Sequence, residues 1–494
     1  MTQGVGAEPQ VILLRYSGEI STKARATRSQ FTSRLLRNVR DALARAGVPA
    51  EVERAHERIL VETGEPAALD ALARVFGVQS ASRAERREAT SLEALVEAGA
   101  GIFREAVQGR RYAVRARLVG SPGDLPYRAR DVERALGAAL APGAGRVDLE
   151  QPELTARVEV YRGRVYYCLE TRSAEGGLPV GSEGRALALV SGGFDSAVAA
   201  WHLLKRGVRL DYLFCNLGGR THELGVLRVM KVVAERWSHG YRPLLHAVDF
   251  GPVVREIQAH AQPRYWQVLL KRYMLRVGEA IARERHAEAL ATGEALGQVS
   301  SQTLTNLASI SEAVSIPILR PLVGFNKDEI IERARHVGTA ELSAVVGEYC
   351  ALVPHHPATA ARVEVLRDEE MDIDPGVVTK VLGEREELDL RAVDPEERGP
   401  PEIQVDAVPD GATLVDLRNR AEFDSWHPEG AVQLDFAQAL RGYPSFAKDQ
   451  RYVLYCEFGL KSAHLAELMH REGFTAQHFR GGTRALRRWV EDRR

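Results

Sequence analysis

The sequence predicts an α/β multidomain chain: two small α+β modules, a parallel-sheet domain, and a compact C-terminal α/β domain. Three observations lead there. Strand-length apolar runs alternate with helix-period segments along most of the chain, a pattern that sets helices against sheets. Two stretches break the alternation: SAEGGLPVGSEGR, rich in Gly, Ser and Glu, and an acidic, Pro-containing run over 362–402. Two apolar strands, ALALV and RYVLYC, each lead into a glycine-containing turn and then a helix. With 494 residues the chain exceeds one ordinary core, and length alone points to roughly three or four domains.

The first module spans 1–64. QVILLRY reads as a strand, and Phe31, Leu35, Leu36 and Val39 share one helix face. Gly47 and Pro49 end that helix, and ERILVET is a second strand. The second module spans 65–171. The helix through Leu69, Leu72 and Val75 completes a strand–helix–strand–helix order that reads as one small α+β unit, and from about residue 80 a looser pattern follows: a helix near 91–108, the strand RYAVRARL and a helix near 128–140. ELTARVEVYRG and RVYYCLETR close it as alternating strands. After a linker at 172–185, the parallel-sheet domain covers 186–361, with strands ALALV, RLDYLFCN, YRPLLHAVDF and EALATGE. Residues 362–402 read as an acidic linker with some helix, and 403–494 as the last domain.

Hydrophobic residues make up 45% and charged residues 27%, the range of soluble globular proteins. The net charge of −1 is unevenly spread. Residues 1–172 carry 27 Lys/Arg against 22 Asp/Glu, whereas 351–400 carry 6 against 13. The basic excess suits a polyanionic partner, and equally a solvated Arg/Glu surface. MTQGVGAEPQ has no signal-peptide pattern and no apolar run is long enough for a membrane span, so a cytoplasmic location is expected. The four Cys, at 168, 215, 350 and 456, match neither a zinc pattern nor a disulfide framework, and no metal site is expected. Cys168 and Cys215 fall on strands and read as packing; His355 and His356 read as loop residues.

Ser191-Gly192-Gly193-Phe194-Asp195-Ser196 sits where an apolar strand turns into a helix. Glycines let backbone N–H groups approach an anion, the helix N-terminus adds partial positive charge, and Ser191 and Ser196 offer hydroxyls. It is not the Walker form, which needs Gly-Lys-Ser/Thr after four spacers. Downstream, Lys271, Gly293, Gln302 and Lys327 are candidate phosphate or nucleotide contacts. The chain has eight Lys against fifty-eight Arg, and GEALGQVSSQTLTNL is too polar for a core segment. It suits a loop at the C-terminal ends of parallel strands.

In the last domain, Asp416-Leu417-Arg418 with Glu422, then His427-Pro428-Glu429-Gly430-Ala431, precede Cys456-Glu457-Phe458-Gly459-Leu460-Lys461-Ser462. Cys456 ends a strand and opens a loop whose amides can stabilise a thiolate or persulfide. With Glu457 next to the Cys and Lys461 as the only cation in the loop, small anions are poor substrates, and a persulfide handed over by a protein donor fits better.

SGGFDS resembles the PP-loop signature, and 403–494 resembles a rhodanese domain. With RYSGEISTKARATRSQF, GEALGQVSSQTLTNL and RPLVGFNKDEI, nearly the whole chain resembles the tRNA 4-thiouridine synthetase family. The resemblance implies a ferredoxin-like start, a THUMP RNA-binding module, a PP-loop domain and a rhodanese domain. It implies ATP, with Mg2+, adenylating uridine at tRNA position 8, with contacts at Leu189, Val190, Ser191, Gly192, Gly193, Ser196, Lys271, Gly293 and Gln302. Asp195 and Lys327 would serve adenylation. A cysteine desulfurase would load Cys456 with a persulfide, that sulfur, directly or as released sulfide, would displace AMP, and Cys350 would form a disulfide with Cys456 during turnover, reset by a reductant. Some family members also give sulfur to the thiazole of thiamine through a small carrier protein. Two other readings stay open: a PP-loop ligase with a different acceptor, and an RNA-binding persulfide carrier without catalysis.

Overall fold

The structure is a computed structural model that describes residues 10–55, 58–88, 91–119, 125–346, 356–398 and 403–492. The chain divides into two compact units, 1–182 with 205–207, and 183–204 with 208–494.

The first unit is built on one eight-stranded sheet. Its strands lie in the order Glu51–Ala55, Arg58–Thr63, Gln10–Tyr16, Val78–Glu88, Arg164–Ser173, Leu154–Tyr161, Arg111–Val119, Arg146–Val147. Pairing is antiparallel except along Arg111–Val119, which runs parallel to both neighbours. The centre is Val78–Glu88, which pairs with Gln10–Tyr16 on one side and Arg164–Ser173 on the other. Sequence reading found no strand there, because VQSASRAERRE lacks the β-branched and aromatic run that marks one. Leu69, Leu72 and Val75, assigned above to the second module, pack in one core with Phe31, Leu35 and Val39. A second core gathers Phe103, Val132, Leu136, Val158 and Tyr167. Buried Glu159 links the two halves: it accepts from Arg15 Nε at 2.9 Å and Arg58 Nε at 3.0 Å. Burial alone would raise its pKa, but the two guanidiniums outweigh that and hold the carboxylate below its usual range.

The second unit contains the expected parallel sheet, ordered Ile318–Leu319, Ala289–Ala291, Arg185–Leu189, Arg209–Asn216, Leu244–Asp249, with Glu386–Asp389 added antiparallel at one edge. The last strand comes from the segment read as an acidic linker. That segment is folded: helices Val363–Glu370 and Val377–Gly383, with Ile373 in the turn between them, send Leu366, Ile373, Val377 and Val381 into the same core as Leu187, Leu213 and Leu269. Most of its charges lie outward, though Glu370 turns in to pair with buried Arg272, and their number masked the buried apolar residues in composition. The helix after the glycine turn, Phe194–Lys205, buries residues all round its axis, including Ala197, Val198, Trp201 and Leu204, so it is enclosed rather than amphipathic.

The C-terminal domain is a five-stranded parallel sheet, Gln404–Val405, Thr475–Phe479, Arg451–Tyr455, Thr413–Asp416, Val432–Gln433. Helix Leu460–Arg471 packs on it through Leu465, Ala466 and Met469.

Candidate active site

The glycine turn follows strand Arg185–Leu189 at its C-terminal end, where loops of a parallel sheet gather. Gly192 holds φ +80°, a left-handed conformation that glycine adopts without cost. Ser196 Oγ donates to the Gly193 carbonyl at 3.0 Å and accepts from the Ser191 N–H at 3.4 Å, closing the turn over the first residues of the helix. A Cβ on Gly193 would meet only Ser191 Oγ at 3.6 Å, so that backbone faces open space.

Of the sequence-predicted residues, Asp195, Gly293 and Lys327 meet here, and Lys271 joins them through Glu294. Lys327 Nζ donates to Asp195 at 2.9 and 3.1 Å and lies 5.5 Å from the Phe194 ring centroid. Gln298 Nε2 reaches Asp195 at 3.5 Å. Gly293 passes so close that a Cβ there would lie 2.7 Å from the Asp195 carbonyl carbon. Glu294, next in sequence, accepts from Lys271 at 2.9 Å and Arg320 at 2.8 Å. Its burial favours the neutral acid, yet the two cations keep the carboxylate below its usual pKa. Gln302 Oε1 is buried and has no hydrogen-bond partner among the described residues. An orphaned acceptor costs stability unless something donates to it, so a ligand with a donor edge fits beside it. Leu189 is half-buried and Val190 buried; Val190 N–H is bound by the Leu213 carbonyl at 2.9 Å.

The thiol loop has a comparable build. Cys456, at the end of strand Arg451–Tyr455, is 4% exposed, and its Sγ lies 3.6 Å from Ser462 Oγ. Gly459 (φ +77°) caps the following helix. Gly482 presses on the loop from the opposite side: a Cβ there would fall 2.4 Å from the Glu457 carbonyl oxygen and 2.7 Å from that of Cys456. Thr483 N–H donates to the Cys456 carbonyl at 3.0 Å. Asp416 and Arg418 form a buried pair, with Arg418 Nη2 donating to Asp416 Oδ2 and to the Trp426 carbonyl, both at 2.6 Å. Glu422 is a helix cap, accepting from Asn419 N–H at 3.1 Å. His427 stacks on Phe423 at 3.9 Å and bonds its carbonyl at 2.9 Å. These residues shape the loop's surroundings without touching the sulfur.

Cys350 lies outside the described residues, as does His355. Cys168 and Cys215 are buried; burial pushes the Cys168 thiol up to about 11 and that of Cys215 higher still, so neither is a ready nucleophile.

Helix Gly219–Arg236 touches both sites, and sequence reading gave it no role. His222 lies 3.4 Å from the Ser191 carbonyl and edge-on to Phe214. Its neighbour Thr221 donates to Glu467 on helix Leu460–Arg471. Arg228 donates to the Phe458 carbonyl inside the thiol loop. Lys461 is therefore the only cation of the loop's sequence but not the only one at the loop. No linear motif signals these three residues, since their partners lie 31 to 246 positions away.

Burial lowers the pKa of His222 to about 4 and that of His478 to about 3, so both are neutral at pH 7. Between pH 6.5 and about 4 the unfolded chain binds protons at these positions and the folded chain does not. Stability should therefore fall as pH drops through that window, by about 1.4 kcal/mol per pH unit for each group. Urea midpoints at pH 7 and 5 for wild type and His222→Asn would check this: the variant should lose less stability on acidification, and identical losses would contradict it.

Four family models match the chain: ThiI ferredoxin-like domain over 11–82, THUMP domain over 89–170, Thiamine biosynthesis protein (ThiI) over 181–374, and Rhodanese-like domain over 403–488. A tRNA sulfurtransferase of Pyrobaculum aerophilum is 38% identical over 95% of this chain and 96% of its own length. This chain belongs to the tRNA sulfurtransferase (ThiI) family. A bacterial tRNA sulfurtransferase, from Marinobacter nauticus, is 31% identical over 94% of this chain and 97% of its own. Among solved structures, a 4-thiouridine synthetase–RNA complex with bound ATP superposes with TM-score 0.69 at 30% identity, covering 77% of this chain and 99% of that one. In this chain the glycine turn at 191–196 lies within the ThiI match and the thiol loop at 456–462 within the rhodanese-like match. Among the described residues, no helix is long and apolar enough to cross a membrane.

Proposed function

We propose that this chain is an ATP-dependent tRNA uridine 4-sulfurtransferase that draws its sulfur from a Cys456 persulfide. The observation that carries the proposal is that one helix contacts both a glycine turn opening onto free space and the loop around a buried thiol. ATP with Mg2+ would lie against Ser191, Gly192, Gly193 and Ser196, with Lys271, Gly293 and Gln302 around it. Asp195 and Lys327 would orient the triphosphate and the uridine for attack at the α-phosphate. Adenylation turns the uridine O4 into a leaving group, with pyrophosphate departing toward the turn's amides.

A cysteine desulfurase loads Cys456 as Cys–S–SH. The outer sulfur attacks C4, the C4–O bond breaks, and AMP leaves with one proton released, giving a Cys456–S–S–C4 adduct. Cys350 thiolate then attacks the Cys456 sulfur, freeing 4-thiouridine and forming a Cys350–Cys456 disulfide. A dithiol reductant restores both thiols with two electrons and two protons. The same persulfide could be passed to a thiamine sulfur-carrier protein. The basic first unit would hold tRNA through its phosphates, with binding that weakens as salt rises. The setting is the cytoplasm.

The test uses the full chain with unmodified tRNA, ATP, Mg2+, a cysteine desulfurase and cysteine. AMP release should require tRNA, and digested tRNA should contain 4-thiouridine by mass spectrometry. Tight tRNA binding with no tRNA-dependent AMP would favour the non-catalytic carrier instead.

A further inference from the structure

The thiol loop is held from outside its own domain. Arg228, on helix Gly219–Arg236, is 10% exposed in its side chain. Its Nε donates to Glu396 Oε1 at 2.7 Å and its Nη2 to Glu396 Oε2 at 2.5 Å, while Nη1 donates to the Phe458 carbonyl. This is a bidentate fork with one arm left over, and that arm reaches the second residue after Cys456. A trans peptide directs its N–H opposite to its C=O. Holding the Phe458 carbonyl therefore turns the Gly459 N–H away from the helix and fixes one peptide of the loop.

The rest of the helix makes this a rigid mount. Lys231 Nζ donates to the Val393 carbonyl at 2.8 Å, and Arg398 Nε to Glu223 at 3.0 Å, so the approach to the C-terminal domain is fastened on both sides of Glu396. Gly219 (φ +72°) lets the helix start against Glu467: a Cβ there would lie 2.7 Å from its Oε1. One turn from that start, His222 meets the Ser191 carbonyl of the phosphate turn. The helix is thus in register with both reacting loops at once.

We infer that Arg228 is a positioning residue for sulfur transfer, setting the Cys456 loop in a fixed relation to the glycine turn at 191–196. This rests on the reading of Cys456 as sulfur donor. Arg228 touches neither sulfur nor nucleotide; it acts through the Phe458 peptide. Loading the thiol and adenylating the tRNA need only one site each. Passing sulfur between them needs both sites in register, and that step alone depends on Arg228.

Three measurements on full-length Arg228→Ala and Arg228→Lys separate these steps. The first is persulfide on Cys456 after treatment with a cysteine desulfurase and cysteine. The second is 4-thiouridine formation with sodium sulfide as the sulfur source, which bypasses the loop. The third is single-turnover transfer from preloaded Cys456 to tRNA after the donor is removed. Arg228→Ala should match wild type in the first two and fall at least about tenfold in the third, as misplacing a reacting group does. Arg228→Lys, which keeps one donor, should recover part of that loss. Wild-type transfer with an undiminished Arg228→Ala rate would overturn the role given to Arg228. Equal losses in the sulfide and persulfide routes would overturn it too, by showing a structural defect. A wild-type protein that loads sulfur but never transfers it would overturn the underlying function instead.

Discussion

Cys456→Ala is expected to reduce persulfide-dependent tRNA thiolation by about 10³-fold or more, the scale seen when a nucleophile is deleted, while adenylation of tRNA, read as single-turnover pyrophosphate release, stays near wild type. The split follows from the layout. Cys456 lies in a sheet separate from the one that ends in the glycine turn, so removing its sulfur leaves that turn untouched. No described thiol can replace it, since Cys168 and Cys215 are buried with pKa values pushed up by burial. Cys456 is itself buried beside Leu454, Leu465 and Ala466, so the lost sulfur leaves a small cavity rather than a broken domain. Mass spectrometry of tRNA nucleosides from a deletion strain carrying the variant reads the first effect, and tRNA-dependent release of labelled pyrophosphate in a single turnover reads the second. Normal 4-thiouridine in that strain would remove Cys456 from the sulfur route.

The parts of this molecule that were legible in the sequence are those written in contiguous residues. SGGFDS and CEFGLKS announce two loops because each needs glycine and a terminal Ser at fixed offsets, and the structure uses both serines to close the loops, Ser196 on Gly193 and Ser462 on Gly459. The parallel sheet and the C-terminal sheet were legible because their strands are short apolar runs buried on both faces. Val78–Glu88 was not, because its place at the centre of a sheet is conferred by two partners, not by its own side chains. Glu386–Asp389 was hidden similarly, with Leu388 its only apolar residue. Thr221, His222 and Arg228 looked like ordinary residues of a helix, and only packing reveals that this helix lies between the two reacting loops. Gly481 and Gly482 belong to no motif read above; their left-handed φ values and the pressure of Gly482 on the thiol loop are tertiary facts.

Gly293→Ala should have the opposite signature to Cys456→Ala: adenylation lost by about 10²-fold, with persulfide loading on Cys456 intact. The methyl group would lie 2.7 Å from the Asp195 carbonyl carbon, 2.9 Å from its oxygen and 2.9 Å from Ser196 N. These are backbone atoms in the first turn of an enclosed helix and cannot rotate aside. Either the end of strand Ala289–Ala291 or the start of the helix must shift, and both carry the site: Glu294 with Lys271 and Arg320 on one side, Asp195 with Lys327 on the other. Displacements of about 1 Å at a reacting centre cost on the order of 100-fold, and overpacking of this kind costs about 1–3 kcal/mol of stability. Gly193→Ala separates the two effects. Its methyl would meet only Ser191 Oγ at 3.6 Å, so folding should be unaffected, yet it would occupy the space where a phosphate approaches the turn. ATP affinity measured by calorimetry should fall for both variants, and the unfolding temperature only for Gly293→Ala. Undiminished affinity in Gly193→Ala would mean that the triphosphate does not lie against this turn, because no side chain other than Ser191 stands ready to absorb the added methyl.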